Sequence, residues 1–289
     1  MSTPSITSTS KTPAEIVAEL DAKAEIHHTP CGAGHMVWRR WGSGQPLVLF
    51  HGGSGSWNHW IRTIPVMAER YAVWVPDLPG LGQSAMPNEP YVPESCADAV
   101  TLGVRELIPA HTRFHLAGFS FGGQIASLVA AMLGDQLSDL TLIGVAALGL
   151  PMGPREPMGR QKSSMSLEEI HAVHRRNLAI LMLAHADRID DLAVHLQTEN
   201  IRQARFRSKP FATTDTIRRK LAEIKVPLKT IWGALDVVAY PSLQTRLDIL
   251  AEHHPEMQAR IIADAGHWVM YEAADAFNAA LIELIGSPA

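Results

Sequence analysis

Read for its apolar and polar positions, the chain shows two alternating periods. Short runs rich in Val, Leu and Ile recur at "PLVLF", "YAVWVPD", "FHLAG", "LTLIGVAA", "VPLKTIWG" and "MQARIIADAG". Such runs predict strands, and the helical patterns lying between most of them predict a parallel α/β sheet flanked by helices. Ahead of them, "AEIHHTP" and "HMVWRRW" predict an antiparallel lead-in hairpin turning at Cys-Gly-Ala-Gly. The longest apolar run, Leu140 to Leu150, falls far short of the roughly 20 residues that cross a bilayer and is read as a buried strand.

The alternation breaks once. Residues 150–211 offer no strand pattern, and "PMGPREPMGRQKSSM" gives way to the helical patterns "LEEIHAVHRRNLAILMLAHA" and "IDDLAVHLQTENIRQARF". A strand-free stretch between two strands of a sheet predicts a helical cap. The expected division is a tail with a short amphipathic helix (1–23), a first core part (24–149), the cap (150–211) and a second core part (212–289).

Composition narrows the function classes. At 289 residues, 46% hydrophobic and 19% charged, the chain is ample for a dry globular core. Its formal net charge is −4 and it has no long basic run, which argues against a nucleic-acid partner. The Ser/Thr-rich first residues, expected to be a disordered tail, lack the 7–15 apolar residues of a secretory leader. Two isolated cysteines, Cys31 and Cys96, fit neither a disulfide framework nor a metal motif. The expected setting is cytoplasmic, with a small-molecule substrate, no membrane partner and homo-oligomerisation left open.

The chemistry centres on "AGFSFGGQIA", where Ser120 stands in Gly-x-Ser-x-Gly between a predicted strand and a predicted helix. Alone the pentapeptide is a weak signal; between strand and helix it has the placement of a nucleophile elbow. A serine hydroxyl needs a base to take its proton and a carboxylate to orient that base. Asp236 follows "VPLKTIWGAL" at a predicted strand end, whereas Asp248, Asp264 and Asp275 are weaker candidates. His267 follows a strand and a glycine in "RIIADAGHW", whereas His253 and His254 sit at a helix end. Charge developing on a carbonyl oxygen also needs donors. The backbone N–H of Phe121 is one candidate, and Gly53 in "LVLFHGGSGSW" the other, with Ser54 as its alternative.

The motifs "HGGSGSW", "DLPGLGQS", "GFSFGG", "WGALD" and "AGHW", in this order and spacing, resemble those of the α/β-hydrolase fold superfamily. The resemblance runs from about Ala24 to Gly286. It implies a mostly parallel eight-stranded sheet, a cap after the sixth strand and no cofactor. The serine at the elbow argues against dehalogenase and epoxide hydrolase relatives, which typically carry aspartate there. The expected activity is hydrolysis of a small carboxylic ester or related acyl compound through an acyl-enzyme. "GHWVMYEAADAFN" is similar to the C-terminal segment of meta-cleavage-product hydrolases, which split a carbon–carbon bond. Those enzymes tend to have asparagine before the nucleophile, where this chain has Phe119, and no equivalent of their cap arginine is evident. The same scaffold also admits a ligand-binding module without chemistry, and a lyase or perhydrolase built on the same triad.

Ser54, Trp57, Phe119 and Trp268 are the expected pocket residues, with core packing an equal reading for the aromatics. Arg175, Arg176, Arg202, Arg205 and Arg207 read mostly as solvated cap charges. His171 and His174 lack a third metal ligand, so no metal site is expected.

Overall fold

The computed structural model describes residues 11–286; the predicted disordered tail lies largely outside them. Helix α1 (Pro13–Asp21) begins with a reciprocal cap. The Thr12 hydroxyl accepts the Glu15 N–H, and the Glu15 carboxylate accepts the Thr12 N–H at 2.7 Å. Strands β1 (Glu25–Cys31) and β2 (Gly34–Trp41) form the antiparallel hairpin. The chain continues through β3 (Pro46–Phe50), α2 (Ile64–Met67), β4 (Ala72–Pro76), α3 (Pro93–Leu107), β5 (Phe114–Phe119), α4 (Phe121–Leu133) and β6 (Leu137–Ile143). After β6 come α5 (Leu167–Leu181), α6 (Asp191–Gln203) and α7 (Thr216–Lys220). Then follow β7 (Leu228–Gly233), α8 (Leu243–Ala251), β8 (Gln258–Ile262), α9 (Val269–Glu272) and α10 (Ala274–Ile285).

The eight strands form one sheet in the order β1-β2-β4-β3-β5-β6-β7-β8. Only β2 runs antiparallel to its neighbours; from β4 to β8 all pairings are parallel. Every residue of β3, β4, β5 and β7 is buried, which is why their sequences are predominantly apolar; the titratable exceptions, His115 and Lys229, are paired with the buried Asp139 carboxylate. Alternate side chains feed two cores. Val48, Phe50 and Leu116 pack with α3, α4 and α8 residues such as Val100, Ile125 and Leu250. Leu47, Leu49 and Ala117 pack on the other face with α2, α5 and α10 residues such as Met67, Leu178 and Leu281.

The expected strand through Leu150 is too long. β6 ends at Ile143 because Gly144 adopts φ +54° and the chain leaves the sheet; Ala147 then donates its N–H to the Ala212 carbonyl at 2.8 Å. Between β6 and β7 no described residue is in a strand. Residues 151–162 have no regular structure, α5 opens on a Ser166/Glu169 cap and α6 on the Asp190 carboxylate. Ile217 and Leu221, from α7 and its end, return to the α4 side of the core. Because β3, β5, β7 and β8 are parallel, the loops that follow them, with Gly53, Ser120, Asp236 and His267, leave the same edge of the sheet.

Candidate active site

Ser120 occupies the single residue between β5 and α4, at φ +52° and ψ −116°. Its N–H donates to the Ile143 carbonyl at 2.8 Å, tying the turn to the neighbouring strand. So tight a strand-to-helix reversal brings the helix start against β3: a Cβ on Gly122 would lie 2.5 Å from the carbonyl oxygens of Phe50 and His51. Glycine is required there by contact.

Asp236 sits in the turn after β7, its N–H bonded to the Gly233 carbonyl at 3.2 Å, and its Oδ1 accepts the Val238 N–H at 2.7 Å. His267 sits in the loop after β8. Its Nδ1 donates to Asp236 at 2.9 Å (Oδ2) and 3.0 Å (Oδ1), and its Nε2 lies 3.0 Å from Ser120 Oγ. With the ring proton held on Nδ1 by the carboxylate, Nε2 is left to accept the serine proton. The histidine and aspartate are 3% and 7% exposed, so water competes little for the bond between them.

Gly144 was not among the sequence candidates, yet a Cβ there would lie 3.0 Å from Asp236 Oδ2 and 3.2 Å from His267 Nδ1. The signal was present as a lone glycine inside an apolar run, which marks a close approach. Glu272, also unanticipated, is a buried carboxylate that accepts three backbone N–H groups: Gly266 at 2.7 Å, Ala184 at 3.0 Å and His185 at 2.9 Å. It joins the His267 loop to the segment after α5.

The loop after β3 is braced by two buried histidines. His51 Nε2 accepts the Leu78 N–H at 2.9 Å while its Nδ1 donates to the Gly52 carbonyl, and His59 Nδ1 accepts the Gly52 N–H at 3.2 Å. Both bonding patterns need neutral rings. Burial accordingly lowers the pKa of His51, and burial aided by His51 and His267 pulls that of His59 well below the usual histidine value. With the Gly52 N–H taken, the N–H groups of Gly53 and Phe121 have no hydrogen-bond partner among the described residues.

A cavity of about 240 Å³ opens over Ser120 and His267. Gly53, Ser54, Phe119 and Phe121 line it from the sheet side. Phe119 also packs on the His267 ring, centroids 4.8 Å apart, so it serves both core and pocket. Trp57 and Trp268 are not among its lining residues, which corrects the expectation from sequence. Trp57 packs at a tilt against Trp41, centroids 5.5 Å apart, with the Arg39 guanidinium 5.1 Å from its ring. Trp268 stacks on Tyr271 at 4.3 Å and donates its indole N–H to the His59 carbonyl. Their loops reach the site; their rings turn into the core. The segment between β6 and β7 contributes an apolar wall (Met152, Met158, Leu181, Ile201) and polar groups that sequence reading missed, Arg155 and Ser208.

Among the described residues no three His, Cys, Asp or Glu side chains cluster as a metal site would need; His174 instead bonds Gln161 at 3.0 Å. Cys31 and Cys96 are buried free thiols, and burial pushes the Cys31 thiol up to about 11. No described helix is long and apolar enough to cross a membrane.

The chain is similar to known proteins over most of its length. The chain is 27% identical over 253 residues to the dihydrolipoyllysine-residue acetyltransferase component of the acetoin cleaving system of Pseudomonas putida, covering 84% of this chain but only 64% of that protein. It is 25% identical to the 2-hydroxy-6-oxo-6-phenylhexa-2,4-dienoate hydrolase of Burkholderia cepacia, covering 85% of this chain and 89% of that enzyme. The meta-cleavage product hydrolase of Pseudomonas fluorescens IP01 shares the fold, with a TM-score of 0.72, 22% identity and coverage of 91% and 97%. Residues 47–280 match the model of the alpha/beta hydrolase family, and the chain is a member of that family.

Proposed function

We propose that this chain is a cofactor-independent serine hydrolase that cleaves a small carboxylic ester or related acyl compound through an acyl-enzyme. The observation that carries the reading is the unbroken bond series from Ser120 Oγ to His267 Nε2 and from His267 Nδ1 to Asp236, opening on a cavity. Ser120 Oγ attacks the carbonyl carbon as its proton passes to His267 Nε2, and the Asp236 carboxylate stabilises the imidazolium. The backbone N–H groups of Phe121 and Gly53 receive the oxyanion. Gly53 is preferred over Ser54 because it packs beside Phe121: a Cβ on Gly53 would lie 3.6 Å from the Phe121 Cβ. The bond to the leaving alcohol then breaks as His267 returns the proton to it. Water repeats the sequence on the acyl-Ser120 ester, releasing the acid and restoring the hydroxyl. Residues 150–211 act as a cap whose apolar side chains select the acyl group.

One observation favours a second reading, carbon–carbon hydrolysis. Arg155 lines the cavity, where it would meet a substrate carboxylate. Against it, Phe119 before the nucleophile offers no polar group for the ketonisation that such a reaction needs. Screening p-nitrophenyl esters beside a dienoic keto acid separates the two: ester turnover is expected to dominate, and a hundredfold preference for the keto acid reverses the assignment. A fluorophosphonate probe is expected to label Ser120; an unlabelled protein would instead be a binding module.

A further inference from the structure

We propose that Ser208 contributes a third, side-chain hydrogen bond to the oxyanion, delivered to the site by the segment between β6 and β7; the inference rests on the serine-hydrolase reading above. Ser208 lines the cavity with Ser120, Gly53 and Phe121. A Cβ built on Gly53 would lie 2.1 Å from Ser208 Oγ and 3.6 Å from the Phe121 Cβ. The hydroxyl therefore occupies the space directly over Gly53, beside the two residues whose backbone N–H groups are free.

That hydroxyl has no structural task. Ser208 precedes the short 3-10 turn Lys209–Phe211, where a serine side chain commonly accepts a backbone N–H, yet it forms no such cap. Its main-chain carbonyl takes the Phe211 N–H at 3.0 Å instead, and the side chain has no hydrogen-bond partner among the described residues. Its position is nevertheless fixed. Phe206 stacks between Phe121 at 5.4 Å and Phe211 at 6.0 Å. The N–H groups of Arg205 and Phe206 both donate to the Gly80 carbonyl, at 2.8 and 2.9 Å, and the Arg205 guanidinium bonds the Ser84 carbonyl. A donor on an anchored segment needs only hydroxyl rotation to meet charge as it develops, which is the condition for stabilising a transition state more than a ground state. Gly53 is required for the same reason: any side chain there would displace the Ser208 hydroxyl.

The test uses the full-length enzyme and its Ser208→Ala and Ser208→Thr variants. Because the oxyanion forms in both halves of the reaction, Ser208→Ala is expected to slow acylation and deacylation alike, by about tenfold or more. Its affinity for a trifluoromethyl ketone, which adds to the serine as a tetrahedral adduct, is expected to fall by a similar factor. Affinity for the product acid changes less than twofold, and Ser208→Thr recovers part of the loss. Equal rates and ketone affinity in Ser208→Ala and wild type overturn the inference, as does a loss confined to acylation, which would assign the hydroxyl to the leaving group. Wild-type enzyme that binds neither trifluoromethyl ketone nor fluorophosphonate overturns the serine-hydrolase reading, and this inference with it.

Discussion

At Ser120 the requirements of folding and of chemistry part company. A non-glycine residue at φ +52° costs on the order of 1–3 kcal/mol, and a fold indifferent to the hydroxyl would place glycine there. Ser120→Gly is therefore expected to raise the thermal midpoint while abolishing turnover. Ser120→Ala keeps the strain and is expected to lose activity by a factor on the order of 10⁶ with little change in melting. More than a tenth of wild-type turnover in either variant would show that Ser120 is not the nucleophile. His267→Ala should be comparably damaging, and Asp236→Asn less so, because the carboxylate orients and stabilises without itself transferring the proton. Gly144 gives a separate check. A methyl group there meets the Asp236–His267 pair at about 3 Å, so Gly144→Ala is expected to reduce kcat at least tenfold by turning the imidazole, a loss that steady-state kinetics would detect.

Among the elements, the His267 loop is joined to the end of α5 by the Trp268 N–H bond to the Met182 carbonyl at 2.7 Å and by one buried side chain, Glu272. Glu272 accepts three N–H groups that no other described residue satisfies. Glu272→Gln retains one acceptor oxygen and presents an amide donor to N–H groups, so a loss of about 1–3 kcal/mol is expected. Melting and kcat should fall together, and an unchanged kcat would show that the loop holds His267 without it. The segment carrying α5 and α6 is expected to act on selectivity. Enlarging Leu181 or Ile201, which line the cavity, to Phe should shift the preferred acyl length downward without altering fluorophosphonate labelling. An unaltered substrate profile would remove the cap from substrate choice. Strand-helix alternation made this arrangement legible in sequence, because buried parallel strands read as apolar runs. The end of β6 was not legible: "LTLIGVAALGL" is apolar from Leu142 onward, and the chain leaves the sheet at Gly144 through a backbone angle that hydropathy does not encode.

For the molecule as a whole, the two neutral histidines beneath the candidate site set a pH dependence of stability. Both carry lowered pKa values caused first by burial, so in the folded state they resist protonation. As pH falls below the unfolded value of about 6.5, the unfolded chain binds protons that the native state refuses, and stability declines until the folded pKa values are reached. Above that window the two histidines have no effect. Thermal midpoints measured from pH 8 to pH 5 are expected to be flat and then to fall. His59→Gln, which keeps an acceptor for the Gly52 N–H, should flatten the decline; an identical profile in the variant would assign the acid sensitivity to other groups.

The sequence by itself determined the sheet, its helices and three residues that meet at its edge. Apolar periodicity reports burial, and parallel strands bring their following loops to one side whatever the packing in between. Ser120, Asp236 and His267 could thus be picked by position after a strand and by chemistry. Which side chains face the cavity was decided only by tertiary structure. Trp57 and Trp268 stand beside the right loops yet turn into the core, where Trp41, Arg39 and Tyr271 meet them. Arg155 and Ser208 lie far from the motifs in sequence yet wall the cavity. The direction of a loop side chain depends on contacts between distant segments, such as Phe206 against Phe121, and no local pattern carries that information.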